Sequence, residues 1–244
     1  MSDRGLSGDA ARILVITPQR DEFVHLLDGL RQNDLIVKQC NYGCIQGAEI
    51  PELGMTVAIG GNGKAQFAAQ TQYLLSRCED VGLVICVGAA GTLVENLSTG
   101  DIVIATRTVE HDYRERFVEA PLPAHPGDPT ALEQLRTLAA ASAFPFRVCF
   151  EAIASGDEDI VNPQRAQELR AATAAVCVAW EGSGGARAAA LSRVPFLEIR
   201  AITDFADESA ATFFQQNLAK AIHNIPTLLV QCAAVLQQPN LARQ

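Results

Sequence analysis

Three carboxylates in this chain stand just past apolar runs of strand length. Glu22 follows RILVIT (12–17), Glu181 follows AAVCVAW (174–180), and Asp204 closes the run that leads through FLEI into RAITDFAD. Three such groups gathered in one place divide labour naturally. One can activate a water molecule, one can hold sugar or alcohol hydroxyls, and one can donate a proton. The donor must still carry its proton near neutral pH, which requires burial, and the apolar approach to Asp204 suits that. Taken one at a time, each has a plain structural role. Asp204 can cap a helix, with Ser209 as the rival cap. Glu22 can decorate the first turn of a helix, and Glu181 can complement a helix dipole. Their combination points to acid–base chemistry.

Other chemistries find less support. GGNGKA looks like a phosphate loop, but Ala58 occupies the position of its first glycine and Ala65 that of the metal-binding Ser/Thr. GAAGTL lacks the G-x-G-x-x-G dinucleotide spacing. Both stretches retain the option of a backbone nest for a small ligand. Of the four histidines, only His111, just past a strand, is placed as a site member, and a surface or interface role fits it equally. No G-x-S-x-G elbow occurs. Cys40 and Cys44 in CNYGC lack companions at ligand spacing, and the other cysteines lie mainly in apolar segments. The expectation is therefore reduced core thiols, no metal and no cofactor.

The elements that must position these groups alternate along the chain. Strands are expected at 12–17, 55–60, 82–88, 100–109, 146–155, 174–180 and 195–203. Helices are expected at 20–32, 63–78, 131–142, 163–173, within 182–194 and over 209–236, the last kinked or split by Pro226. Residues 118–130, rich in Pro and Gly, read as a loop. Strands apolar on both faces and alternating with helices predict a three-layer α/β/α fold around a mostly parallel, twisted mixed sheet. Ligands then gather beyond the C-terminal ends of the strands. The 244 residues, 48% apolar and 19% charged, suit one domain over 12–238 behind a flexible lead at 1–11. A formal charge of −9 with no basic run argues against a nucleic-acid partner. No apolar run of membrane-span length and no signal-peptide core are read, so a cytoplasmic protein is expected.

Five stretches in this order carry a resemblance: GKAQFAAQTQYLL, VGAAGTLVENLSTGDIVIAT, SGDEDIVN, VAWEG and IRAITDFAD. The chain resembles the nucleoside phosphorylase/nucleosidase superfamily from about residue 12 to 236, and within it the 5′-methylthioadenosine/S-adenosylhomocysteine nucleosidase branch. The resemblance implies cleavage of the N-glycosidic bond of an adenosine-type nucleoside. Asp204 falls on the general acid that protonates the departing purine, Glu22 on the carboxylate that polarises water, and Glu181 on the glutamate that grips the ribose hydroxyls. Arg200 matches an arginine supporting the acid's surroundings and Thr203 a serine beside it. Gly88 and Ala90 match the turn under sugar and base. Asp159 and Ile160 fall where the family lays residues along the purine.

The chain also departs from the family pattern. Trp180 stands where the nucleosidase branch has Met, Asp159 where it has an aromatic, Asn62 where it has an apolar residue near the 5′ substituent, and Ala89 where serine is common. Trp180 or Phe205 is then expected to supply an aromatic face to the base. Such changes fit either drift or a nucleoside with a more polar 5′ end. Phosphorylase members place an arginine on the third strand, where this chain has Ile85, Cys86 and Val87. Water is therefore preferred to phosphate as nucleophile, with a phosphorylase or a nucleoside-binding sensor as the alternatives. By the same resemblance, a homodimer is expected, with HDYRERF (111–117) near the partner's site.

Overall fold

A computed structural model describes residues 11–237, so residues 1–10 of the expected lead lie outside the described residues. Strand β1 (Arg12–Thr17) runs through the middle of the sheet. It pairs in parallel with β4 (Met55–Ile59) on one side and β5 (Val81–Thr92) on the other. Its alternation explains its unbroken apolar character. Ile13 and Val15 join the core beneath α1 (Arg20–Gln32), α3 (Pro129–Ala141), α6 (Ala210–Ile222) and α7 (Asn224–Leu236). Leu14 and Ile16 face the opposite core, under α2 (Gly63–Leu75) and α5 (Gly182–Leu191). Each strand side chain alternates face, so burying both faces demands apolar residues at every position.

The sheet is mixed. β5 also pairs in parallel with β10 (Phe196–Asp204), and β6 (Ile102–Glu110) in parallel with β8 (Val148–Ser155), which continues to β9 (Cys177–Ala179). β10 meets β6 antiparallel, and β9 meets the end of β5 antiparallel. The path β5–β10–β6–β8–β9 therefore returns to β5. This curl places the C-terminal ends of four chain-distant strands around one hollow. At the other margin, an antiparallel hairpin of β2 (Lys38–Tyr42) and β3 (Ile45–Ile50) adds to β4. This hairpin lies outside the strands expected from sequence, because Lys38–Tyr42 is a partly exposed edge without an apolar face. The 118–130 loop also contains a short strand, β7 (Ala124–Pro126), which pairs with β6.

Between β8 and β9, α4 (Pro163–Thr173) starts at Asn162, whose side chain accepts from the N–H groups of Gln164 and Arg165. The C-terminal helical stretch breaks at His223, three residues before Pro226. Pro226 then sits in the first turn of α7, where a missing N–H costs no intrahelical bond. Over Ala210–Leu236 the chain is 27 residues long and apolar enough by composition to cross a membrane. That corrects the expectation that no such run occurs. The break divides it into two helices of 13 residues, each about 20 Å long. They pack against α1, and α7 against α3 as well.

Close packing of α5 on α2 depends on glycine. At Gly60 and Gly185 a Cβ would lie 2.4 and 2.9 Å from the ring carbons of Phe67, which is wholly buried. Phe67→Ala empties that seat. The expected loss is about 3–5 kcal/mol of unfolding free energy, read from urea denaturation at fixed pH.

Candidate active site

A cavity of about 350 Å³ opens at the C-terminal ends of β1, β5, β8, β9 and β10. Five carboxyl side chains line it: Glu22, Glu158, Asp159, Glu181 and Asp204. Among the described residues that line it there is no lysine or arginine.

Glu22 reaches the cavity from the first turn of α1. Its Oε1 accepts the N–H of Ala89 (2.8 Å) and its Oε2 that of Gln19 (3.0 Å), with the Thr17 hydroxyl farther off at 3.5 Å. Only 2% of the residue is exposed. Burial, aided by the nearby Glu181 charge, pushes its carboxyl from the ordinary 4.5 up to about 7, against the pull of the two N–H donors and Arg200. Gly88 makes the close approach possible. A Cβ there would lie 2.6 Å from Arg200 Nη1 and 2.8 Å from Glu22 Oε1.

Glu181 precedes α5 but makes no side-chain cap to it. Its Oε1 instead accepts the N–H of Gly63 (3.2 Å), at the start of α2, and its Oε2 accepts from Arg200 Nη2 (3.2 Å). Burial pushes its carboxyl up, with Arg200 opposing. The turn at Gly60–Gly63 is thus a nest already occupied from within the protein. Gly63 N–H serves Glu181, and Lys64 N–H serves Asp157 Oδ1 (2.8 Å). This corrects the idea of a free ligand nest at GGNGKA.

Asp204 ends β10. Its Oδ2 accepts from the Thr203 hydroxyl (2.8 Å) and its Oδ1 from the N–H of Ala206 (3.0 Å). The same hydroxyl lies 3.3 Å from the carbonyl of Ala90, so its single proton has two acceptors. Burial raises the Asp204 carboxyl, and the two donors draw it part of the way back. Helix α6 begins only at Ala210, so Asp204 is not its cap, and the side chain of Ser209 makes no cap bond either. Gly91 leaves the space: a Cβ there would lie 2.6 Å from Asp204 Oδ1. Gly88 and Gly91 stand three residues apart on β5, so Glu22 and Asp204 approach this strand at points about 10 Å apart.

Of the other residues singled out in the sequence, Asn62, Ala89, Ala90, Asp159, Ile160, Trp180 and Thr203 all line the cavity. Arg200 and Gly88 do not; they lie directly behind its wall. Arg200 is 1% exposed, and its bonds run to Glu198, Glu181, Cys86 and the carbonyl of Ala89, none of them to Asp204. The expected turn at Gly88–Ala90 is instead continuous strand. The Trp180 ring is fixed by its Nε1–H, which donates to the carbonyl of Glu158 (3.1 Å). Phe205 packs edge-on against Phe213 outside the cavity, and Phe214 of α6 lines it instead. His111 lies outside the cavity, buried, with Nδ1 3.8 Å from Glu158 Oε2.

The sequence reading missed Gln19, Glu158, Phe214 and Gln215. Glu158 adjoins Asp159 and had a signal in the acidic run GDED. Phe214 and Gln215 had none, because only the packing of α6 over β10 turns that face inward.

Residues 45–234 match the model of the Phosphorylase superfamily, and the chain belongs to that family. It is 31% identical to a 5′-methylthioadenosine/S-adenosylhomocysteine nucleosidase of Anoxybacillus flavithermus, over 86% of this chain and 92% of the relative. It is 32% identical to an aminodeoxyfutalosine nucleosidase of Helicobacter pylori, over 57% of this chain and 63% of the relative. Among solved structures, the 5′-methylthioadenosine/S-adenosylhomocysteine nucleosidase of Neisseria meningitidis, in complex with methylthio-immucillin-A, superposes with a TM-score of 0.78 at 27% identity. That match covers 92% of this chain and 98% of the other.

The Glu22 environment makes stability depend on pH. The folded protein holds this proton up to about pH 7, whereas an unfolded glutamate releases it near 4.5. The resulting contribution is full below 4.5 and is lost as pH rises through about 7. Urea unfolding of the parent and of Glu22→Gln across this window is expected to show the parent losing a few kcal/mol relative to the variant.

Proposed function

We propose that the protein hydrolyses the N-glycosidic bond of a purine nucleoside of the adenosine type carrying a 5′ substituent. The observation that carries this reading is a cavity lined by five carboxyl groups and, among the described residues, by no cation. Phosphate binding requires charge-assisted donors, so this lining disfavours a phosphate nucleophile and suits water. Glu22 takes a proton from water as the water attacks the anomeric carbon. Its raised pKa makes it a stronger base than an ordinary carboxylate. Glu181, steered by Arg200 and the N–H of Gly63, accepts from the ribose hydroxyls. Asp204, across the cavity, delivers a proton to the departing purine, and burial favours the protonated form it needs. Cleavage builds positive charge on the sugar, and the surrounding carboxylates stabilise it. Trp180 and Phe214 offer aromatic surface to the base, and Asn62 and Gln215 offer polar groups at the rim.

The names of the two relatives fit this class and differ in the nucleoside they cleave. A panel of methylthioadenosine, S-adenosylhomocysteine, adenosine and inosine, each with and without phosphate, tests the reading. Free base is expected without phosphate. Release only when phosphate is added would make the protein a phosphorylase, and binding without release a sensor; either result overturns the reading. Asp204→Asn is expected to lower kcat by roughly 10²–10⁴ with a much smaller change in KM.

The protein is read as a cytoplasmic enzyme of nucleoside metabolism such as methionine salvage, in keeping with its seven free cysteines. It is further read as a homodimer. Tyr113, Phe117 and Val118 form a stretch of exposed apolar side chains in and beside the 111–117 segment, and Phe117 is fully exposed. Sedimentation at micromolar concentration is expected to give the dimer mass, and Phe117→Asp to shift it toward monomer. A monomeric parent would refute the pairing.

A further inference from the structure

Glu198 is wholly buried in β10 and belongs to no step described above. Two residues from Arg200 on the same strand, it shares a face with it. Its Oε1 accepts from Arg200 Nε (2.8 Å) and its Oε2 from the Thr108 hydroxyl of β6 (2.5 Å). The space for this carboxylate is built in at the start of α5, where a Cβ on Gly182 would lie 2.0 Å from Glu198 Oε2. Arg200 is then held on every side. Its Nη2 faces Glu181 Oε2 (3.2 Å) and Cys86 Sγ (3.3 Å), and its Nη1 faces the carbonyl of Ala89 (3.4 Å) and lies next to Glu22 across Gly88.

We propose that Glu198 is a positioning residue of this site, a buried counter-charge that fixes the Arg200 guanidinium so that Arg200 steers Glu181 without quenching the basicity of Glu22. The inference rests on the hydrolytic reading above. Its physical basis is charge balance. One guanidinium lies among three carboxyl groups, and the geometry gives its shortest carboxylate bond to Glu198, the one of the three that does not line the cavity. In a low-dielectric interior, a cation already paired lowers the pKa of a further carboxylate less. The titratable groups facing this cluster are Glu22 of α1, Glu181 ahead of α5, Cys86 of β5, Cys177 of β9 and His125 of β7. Among them, Glu22 is pushed by burial up to about 7.

The test is a pair of variants. Glu198→Gln keeps the shape and an acceptor for Arg200 Nε but removes the charge. Glu198→Asp keeps the charge but withdraws it by one methylene. The acidic limb of kcat/KM against pH is expected to move down by at least one pH unit in Glu198→Gln, with Glu198→Asp between it and the parent. The plateau rate should fall several-fold as the base weakens. The same order is expected for the Glu22 carboxyl titration followed by carbon-13 NMR in glutamate-labelled protein, with Glu22→Gln assigning the resonance. A Glu198→Gln protein that folds and titrates like the parent overturns the proposal. If that variant does not fold, a Glu198→Asp titration that coincides with the parent's overturns it instead. The NMR readout needs no turnover, so a shifted Glu22 in a protein that releases no base would refute the hydrolytic reading while leaving the electrostatic coupling in place.

Discussion

A single buried cation organises this site. Arg200 has almost no contact with solvent, and leaving such a charge unpaired in the interior would be strongly destabilising. It is tolerated because Glu198 and Glu181 bond to it from two sides and a backbone carbonyl and a thiol accept two more of its N–H groups. The converse also holds, since neither carboxylate has another cation within ion-pairing distance among the described residues. Burying the set therefore depends on all its members at once, and the set joins β5, β10 and the start of α5.

The two outlying carboxyls show how environment separates roles that residue type leaves equal. Glu22 receives two backbone N–H donors, yet complete burial beside Glu181 overrides them and raises it to about 7. Asp204 is held by a hydroxyl and one N–H at the cavity rim, and burial is again the leading cause of its rise. Burial thus lifts both carboxyls above their ordinary values. In the proposed hydrolysis, one is the base toward water and the other the acid toward the purine being expelled. The backbone makes both placements possible by omitting side chains at Gly88 and Gly91, where a Cβ would intrude on Glu22 and Asp204 respectively.

The helix N-terminus at Gly63 shows a related economy. Its N–H groups, in a stretch that looks like a phosphate loop, are taken by the buried Glu181 and the exposed Asp157. A dipole that elsewhere would attract a ligand anion here orients the protein's own carboxylates. With Arg200 also committed, the cations and N–H donors nearest the cavity are already engaged by carboxylates, and the cavity itself presents an acidic lining.

Much of the site was legible in the residues alone. Apolar runs on both strand faces announced the sheet, and the rule that ligands collect at strand C-termini singled out Glu22, Glu181 and Asp204, all of which the structure brings to one cavity. Periodicity and strand-end placement are local properties, so they survive in one dimension. What the linear order could not show is which side chains face one another across elements. Arg200 was matched to an arginine supporting the surroundings of Asp204, but the register of β10 against β5 shifts between Ile202 and Asp204, and the Arg200 bonds run to Glu181 and Glu198 instead. Phe214 and Gln215 enter the cavity only through the way α6 packs. The amino-acid sequence determined the central strands, the helices and four of the five cavity carboxyls. Tertiary structure alone decided how much water and which charges each acid meets, because burial and pairing are set by residues far apart in the chain, and these set the protonation states on which the chemistry turns.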